Sequence, residues 1–115
     1  MRRISEDSGR NALFSRYKRA AKKRNINFEL TKEKFFYLTK QNCFYCGDEP
    51  KQTVGKCVGT GVYIYNGIDR KDNNLGYEIN NCVACCWQCN LAKNKLSLEE
   101  WYTWIERIGI YIVTI

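Results

Sequence analysis

Histidine is absent from this 115-residue chain. Imidazole is the side chain that titrates nearest neutral pH, and it is a common general base and metal ligand. Its absence excludes histidine as a metal ligand, as a general base and as a pH switch. Any catalysis by this chain must therefore use carboxylates, amides, hydroxyls, thiols or bound ions.

Long apolar runs are absent too, since no stretch of the chain approaches the roughly 18 apolar residues of a membrane-spanning helix. The first residues lack the apolar core of a signal peptide. We therefore expect a cytoplasmic protein, in which thiols are either reduced or metal-bound. Proline occurs once, at Pro50, in a glycine-rich stretch, residues 47–61, that we expect to form turns and loops.

Acidic residues are fewer than basic ones. The chain has 19 Lys and Arg against 12 Asp and Glu, which gives a formal net charge of +7 and an isoelectric point near 9.1. This balance favours a polyanionic partner, nucleic acid first. The length fits one domain. Hydrophobic residues make up 44% of the chain, which is enough for a small core that a bound metal ion would help to stabilise.

Cysteine, by contrast, is plentiful, and four of the seven form two tight pairs, Cys43–Cys46 and Cys86–Cys89. Two cysteines separated by two residues present both sulfurs to one ion, so two such pairs predict a closed structural zinc site. A disulfide framework is the alternative, and Cys82 with Cys85 has the same spacing and competes for the metal. We expect the remaining cysteines, which include Cys57, to be buried as small apolar residues.

The first third of the chain has helical periodicity from Gly9 to Arg24, with Leu13, Tyr17, Ala20 and Ala21 on one face. A second face is basic and is predicted to contact nucleic acid through Arg16, Arg19, Lys22, Lys23 and Arg24. Thr31 is a good N-cap for a short helix that places Phe35 and Leu38 in the core.

The middle of the chain reads as strand, loop, strand and helix. Residues 62–68 alternate as a strand does, residues 70–76 form a loop, and residues 77–84 return as a second strand. A helix follows over residues 87–95. We assign Tyr63, Tyr65 and Trp87 to packing.

The tail begins with a capping box at Ser97, followed by a helix whose apolar face, with Ile105 and Ile108, is predicted to lie in the core. Residues 110–115 are β-prone. The predicted fold class is therefore α+β, with a basic helical front (1–42), a zinc-stapled core (43–95) and a helical tail (96–115).

The residues from Asn66 to Asn73, the Gly76-Tyr77 pair, Asn81 and the run from Cys86 to Lys93 together resemble an HNH endonuclease of the kind common in phages and mobile elements. The resemblance covers about residues 43–95. It implies a β-hairpin and a following helix that form a ββα-metal unit, with a catalytic divalent ion, Mg²⁺ or Mn²⁺, and DNA as the substrate. A phage-encoded protein would act in the host cytoplasm.

The resemblance also implies site residues. Asp69 matches the metal-binding aspartate, and Arg70 occupies the position of the missing catalytic histidine. Asn81 matches an asparagine that bridges the hairpin, while Asn90 matches a ligand of the catalytic ion. Lys93 matches a lysine near the phosphate, and Lys95 extends the same basic helix face. A one-residue shift of the match instead puts Asp69 in the base position.

The residue chemistry supports this interpretation, because carboxylate and amide oxygens suit a hard divalent ion that also binds phosphate and water. The base is then Asp69, Asp72, or the ion and substrate phosphate alone. The guanidinium of Arg70 stays protonated, so it is predicted to clamp phosphate. The alternatives are a catalytically silent zinc module that binds DNA and a structural or protein-interaction module of a phage.

Overall fold

The computed structural model describes residues 4–55 and 62–115. Within these residues, four helices and four short strands follow one another. In order they are α1 (Ile4–Lys23), α2 (Lys32–Thr39), β1 (Gln52–Val54), β2 (Tyr63–Tyr65), β3 (Gly67–Arg70), β4 (Cys82–Cys85), α3 (Trp87–Lys93) and α4 (Leu98–Thr114). The α+β class predicted from the sequence is confirmed.

The strands form two separate two-stranded antiparallel sheets. β1 pairs with β2, and β3 pairs with β4 in a register that places Asp69 opposite Val83. The single strand predicted over residues 62–68 is therefore wrong: it divides at Asn66 into β2 and β3. The buried Asn66 side chain donates hydrogen bonds to the carbonyl oxygens of Gln41 and Asp48 at 3.0 and 3.2 Å, so the chain changes sheets at a fixed point.

The second predicted strand, residues 77–84, is shorter in the structure, because β4 covers only Cys82–Cys85 and Tyr77 forms an isolated bridge with Phe28. β1 falls inside the segment predicted to be loop. Its pairing with β2 depends on a partner elsewhere in the chain, so local propensity gave no sign of it.

The core lies between α1, α2 and the strands. It contains Leu13, Phe14, Leu30, Phe35, Leu38, Tyr63, Tyr65, Ile68 and Cys82. The packing roles predicted for Tyr63 and Tyr65 are confirmed, but Trp87 is 54% exposed and its predicted packing role is wrong. On α1, Leu13 and Ala21 are buried as the periodicity predicts, but Ala20 is exposed and its predicted place on the core face is wrong.

Tyr17 connects α1 to the β3–β4 hairpin. The Ile68 amide donates a hydrogen bond of 3.1 Å to the Tyr17 hydroxyl, and burial raises the pKa of Tyr17 to about 12. The preceding residue, Gly67, permits this approach, since a Cβ built there would lie 2.8 Å from the Tyr17 hydroxyl oxygen. One side chain thus fixes the distance between the helix and the strand that carries Asp69.

Two helix starts follow the sequence prediction. Thr31 accepts a hydrogen bond from the Lys34 amide and caps α2. Ser97 and Glu100 form the predicted capping box at the start of α4.

The predicted course of α4 is wrong in two respects. Of its apolar residues only Trp101 is buried, and Ile105 and Ile108 are exposed. The helix also continues to Thr114 through the β-prone residues, because each β-branched residue lowers helix stability by less than about 0.7 kcal/mol and no proline or internal cap interrupts the hydrogen bonds. In the part of the chain that the structure describes, no helix has the length and apolar character needed to cross a membrane.

We expect Tyr17→Phe to lower the free energy of unfolding by about 1–3 kcal/mol, because the buried Ile68 amide loses its acceptor. Urea denaturation measures the change. Tyr37→Phe is the matched control, since Tyr37 is 65% exposed on α2. Equal stability of the two variants would contradict the connecting role of Tyr17.

The same Tyr17→Phe variant tests the pKa. An unfolded tyrosine loses its proton near its ordinary pKa of 10.0, while Tyr17 in the folded protein holds its proton to about 12. The folded state therefore binds more protons in this window, and its stability falls as pH rises through it. Tyr17→Phe should remove part of that fall, which urea denaturation at a series of pH values measures.

Candidate metal centre and active site

The sulfurs of Cys43, Cys46, Cys86 and Cys89 all lie within 4.8 Å of one another. A tetrahedral ion with metal–sulfur distances of about 2.3 Å requires sulfur–sulfur distances of about 3.8 Å. The Cys46 and Cys86 sulfurs are 3.7 Å apart, which is too far for a disulfide and suits a shared metal. The predicted ligand set is therefore brought together, and its geometry fits an ion in the middle.

The local backbone explains how each pair presents its sulfurs. Cys86 caps α3, and its sulfur accepts a hydrogen bond of 3.4 Å from the Cys89 amide. In the other pair, the Gly47 amide bonds to the Cys43 carbonyl at 2.8 Å, and Gly47 has a φ of 80°, which glycine adopts without strain. The Phe44 amide donates to the Ala84 carbonyl at 2.8 Å and ties this knuckle to β4.

Cys82 and Cys85 are not part of the cluster, so among the described residues it is Cys86 and Cys89 that lie close enough to Cys43 and Cys46 to share an ion with them. Both Cys82 and Cys85 are buried in β4, and burial raises the pKa of the Cys82 thiol to about 12. They are small apolar residues as predicted. Cys57 lies outside the described residues.

Within the cluster, the pKa of the Cys43 thiol reflects opposing effects. Burial acts to raise it, but hydrogen bonds from backbone amides, that of Cys86 foremost, outweigh burial and lower the pKa to about 7. A thiol of this kind gives up its proton readily to a metal.

Asp69 is the central residue of a second, carboxylate-based site. It lies in β3 with an exposed fraction of 7%. The Tyr45 hydroxyl donates a hydrogen bond of 2.7 Å to Asp69 Oδ2, and the Lys93 ammonium lies 3.1 Å from the same oxygen and 3.4 Å from Oδ1. Three elements therefore meet at one carboxylate: the cysteine knuckle, the hairpin and α3.

Lys93 differs from its predicted role as a nucleic-acid contact. Lys93 is fully buried. Its ammonium lies between the Asp69 carboxylate and the Arg70 carbonyl oxygen, 3.4 Å from that oxygen. Burial of an unpaired ammonium would cost several kcal/mol, so Asp69 is the partner that permits Lys93 to be there. The spacing of residues showed a lysine on this helix but not which way it points.

Arg70 and Asn81 hold the hairpin loop. The Asn81 side chain accepts a hydrogen bond from the Asp72 amide at 2.9 Å and donates to the carbonyls of Asp72 and Gly76 at 3.0 and 3.1 Å. Arg70 Nη1 donates to the carbonyls of Asn73 and Leu75, both at 2.8 Å. Asn81 thus bridges the hairpin, while this nitrogen of Arg70 is engaged inside the loop.

Asn90 is exposed in the middle of α3, three residues before Lys93. Residues three apart share one face of a helix, so Asn90 lies on the side of α3 that carries the contact to Asp69. A carboxylate has about four acceptor positions. The contacts from Tyr45 and Lys93 use part of this capacity. Carboxylate and amide oxygens, the groups that Asp69 and Asn90 carry, are ligand types that suit a hard divalent ion.

The predicted basic residues of α1, Arg16, Arg19, Lys22 and Lys23, are exposed, as is Arg24. Arg19 and Lys22, with Lys18, line a groove of about 560 Å³ whose other wall includes Phe28. Lys95 lines a separate cleft of about 680 Å³ between the hairpin loop and the start of α4. The groove combines basic groups with amides, a composition suited to phosphate contacts, whereas the cleft also contains the carboxylates of Asp72 and Glu100.

Tyr45 is the site residue that the sequence analysis missed. Tyr45 lies between two predicted metal ligands, which places it near the cluster. The neighbouring sequence does not indicate that its hydroxyl reaches β3. Burial, followed by the hydrogen bond to Asp69, raises its pKa. Its ring also packs edge-on against Trp101 at 5.8 Å between centroids, which joins α4 to the site.

No family model matches this chain. An uncharacterized protein of Acanthamoeba polyphaga mimivirus is 38% identical to it over 98 residues, a match that spans 85% of this chain and 16% of that protein. The chain therefore spans about one sixth of that relative's length. The solved structure of the rare-cutting HNH restriction endonuclease PacI is similar, with a TM-score of 0.63 and 23% identity over 89% of this chain and 78% of that chain. The similarity establishes a shared fold.

We expect Cys86→Ser and Cys89→Ser to abolish stoichiometric metal binding, measured by elemental analysis of purified protein. Structural zinc binding supplies about 10–16 kcal/mol in zinc-finger peptides. That range covers the whole stability of a typical small domain, so the metal-free protein should lose its cooperative thermal transition. A strong chelator should do the same to the unmodified protein.

The matched controls for these variants are Cys82→Ala and Cys85→Ala, because both cysteines are buried outside the cluster. They should keep the metal while losing some packing. Loss of metal from a control and its retention in Cys89→Ser would show that the ligand assignment is wrong.

Proposed function

We propose that this protein is a metal-dependent endonuclease that hydrolyses DNA phosphodiester bonds at Asp69, with structural zinc in the cysteine cluster. The observation that carries the proposal is the buried Asp69 carboxylate, held at the junction of a β-hairpin, a helix and a cysteine knuckle. The fold shared with an HNH restriction endonuclease supports the same interpretation. The basic surface of α1 supports DNA as the partner.

Asp69 and Asn90 are the residues that would hold the catalytic divalent ion, Mg²⁺ or Mn²⁺. Such an ion, when bound, supplies charge neutralisation at the phosphate and lowers the pKa of a water molecule. The chain's own contribution is orientation. Tyr45 and Lys93 fix the Asp69 carboxylate by hydrogen bond and ion pair, and Asn81 holds the loop that leads out of β3.

The proton acceptor is proposed to be Asp72 or a phosphate oxygen of the substrate rather than Asp69. Both oxygens of Asp69 already accept contacts from Tyr45 and Lys93, which leaves less of this carboxylate open to a water molecule. Asp72 lies in the hairpin loop, where its side chain accepts one hydrogen bond of 2.9 Å from the Asn74 amide. We propose that Arg70, at the root of this loop, stabilises the phosphate with the part of its guanidinium not bound to Asn73 and Leu75.

A second candidate function is a catalytically silent, zinc-containing DNA-binding module. The Asp69–Lys93 ion pair favours it, because Lys93 already supplies a cation to the carboxylate that the nuclease would use for its metal. In that case the pair is a structural replacement for the divalent ion. The protein would then bind DNA through α1 without cleaving it.

Plasmid nicking distinguishes the two candidates. We expect zinc-loaded protein to nick supercoiled DNA with Mg²⁺ or Mn²⁺ and not with a chelator of those ions. Asp69→Asn should reduce the rate by at least about a hundredfold, since it removes the charged ligand while keeping the side-chain shape. Asp48→Asn is the control, because Asp48 is paired with Lys51 on the surface.

DNA retardation by the same proteins completes the experiment. Retardation without nicking, from protein with full zinc content, would contradict the nuclease and favour the silent module. Nicking that survives in Asp69→Asn would contradict the role of Asp69. Substitution of Arg16, Arg19, Lys22, Lys23 and Arg24 should weaken retardation and reduce its dependence on salt.

Lys93→Met provides a test that does not depend on activity. Removal of one partner from a buried ion pair destabilises a protein by about 3–5 kcal/mol, because the remaining charge is unpaired. If Asp69 binds a divalent ion, Mg²⁺ should restore part of the stability of Lys93→Met in thermal melts. It should have a smaller effect on the unmodified protein, and none on a Lys93→Met/Asp69→Asn double variant.

The opposite result is equally informative. In that result, Mg²⁺ and Mn²⁺ leave the melting temperature of Lys93→Met unchanged while the protein keeps its zinc and its far-ultraviolet circular dichroism. It would show that Asp69 does not bind the ion.

A further inference from the structure

The second half of α4 has an apolar surface that no other part of the described chain covers. Apolar residues recur along the helix at alternating spacings of three and four, which is the spacing of one continuous stripe on an α-helix. We call this the α4 stripe, and its members are Leu98, Trp101, Ile105, Ile108, Ile112 and Ile115.

The stripe begins inside the domain and continues out of it. Trp101 is 4% exposed and packs against Tyr45. Ile105 and Ile108 are about two-fifths exposed, at 40% and 41%, and exposure rises to 60% at Ile112 and 82% at Ile115. One face of the helix is therefore buried at its start and uncovered at its end.

Charge is missing from the same region, because residues 108–115 contain no Lys, Arg, Asp or Glu. Two identical copies of this face can meet without electrostatic repulsion and without burying a charge. The uncharged face contrasts with the basic α1, which is the surface suited to nucleic acid.

Gly109 is the second observation. Glycine inside an exposed helix destabilises it by about 0.5–1 kcal/mol relative to alanine. A Cβ at Gly109 would meet no atom within 4 Å, so nothing within the described domain requires glycine there. Gly109 adjoins the stripe, four residues after Ile105 and three before Ile112, where the missing side chain lets another backbone approach closely.

We propose that the α4 stripe is the self-association surface of this protein, and that its occupant is the α4 stripe of a second copy. The exposed part of this surface consists of five side chains: Ile105, Ile108, Ile112 and Ile115 of the stripe, and the neighbouring Tyr111. Together they expose apolar area on the order of several hundred Å² per copy, which is the size at which exposed patches mark interaction sites. Two copies together bring this to roughly 1,000 Å², which reaches the lower limit for a specific interface. A two-fold axis is the arrangement that pairs one patch with itself.

The test compares two isoleucines of the same helix that are equally exposed in the single copy. Ile112 lies on the stripe with an exposure of 60%, and Ile110 lies two residues away, off the stripe, with 58%. Residues two apart on a helix do not share a face. Ile112→Glu and Ile110→Glu therefore differ in the face that they charge and in little else.

Sedimentation equilibrium of zinc-loaded protein over a range of concentrations measures the association. We expect the unmodified chain and Ile110→Glu to form a dimer, and Ile112→Glu to raise the dissociation constant by about tenfold or more. Gly109→Gln should also weaken the dimer while circular dichroism shows no loss of helix, because glutamine is a good helix former that fills the space beside the stripe.

Three results would overturn the proposal. The first is an unmodified protein that stays monomeric at every concentration, whether or not it binds lipid vesicles or another protein. The second is an equal loss of association in both glutamate variants, which indicates nonspecific hydrophobic contact. The third is growth to large aggregates without a discrete dimer. Zinc content and circular dichroism of each variant confirm that the domain remains folded.

Discussion

The meeting of four cysteine sulfurs is the contact on which the positions of the other site elements depend. Cys46 and Cys86 are 40 residues apart in the chain, yet their sulfurs are 3.7 Å apart. This contact joins the knuckle before β1 to the start of α3. A small hydrophobic core would hold these two segments together only weakly without it. With those ends fixed, Tyr45 reaches β3 from one side and Lys93 reaches it from the other.

The Asp69–Lys93 pair shows how the domain uses that constraint. A buried ion pair contributes little net stability, because loss of hydration offsets most of the attraction between the charges. An apolar pair of the same volume would stabilise the core at least as well. The proposed role of Asp69 accounts for a buried carboxylate between a phenol and an ammonium, an arrangement that packing alone does not require.

The features that the sequence predicted correctly are those determined by near neighbours. The cap at Thr31 and the capping box at Ser97 each depend on residues within one turn, and each is present. The four-cysteine cluster joins distant pairs, but the spacing within each pair is local and indicates a shared metal. The features that it missed depend on distant partners. The division of residues 62–68 into two strands requires the pairing of β1, and the burial of Lys93 requires Asp69 from another element. The β-prone tail became helix because propensities are small beside an uninterrupted series of backbone hydrogen bonds.

Tyr45 has a further consequence because it is flanked by Phe44 and Cys46 inside the knuckle that holds the metal. Its hydroxyl contacts Asp69 and its ring contacts Trp101, so one side chain connects the sulfur cluster, the carboxylate and the start of α4. A displacement of the knuckle would therefore change the contacts of the Asp69 carboxylate and the packing of α4 together, although neither Asp69 nor α4 belongs to the sulfur cluster.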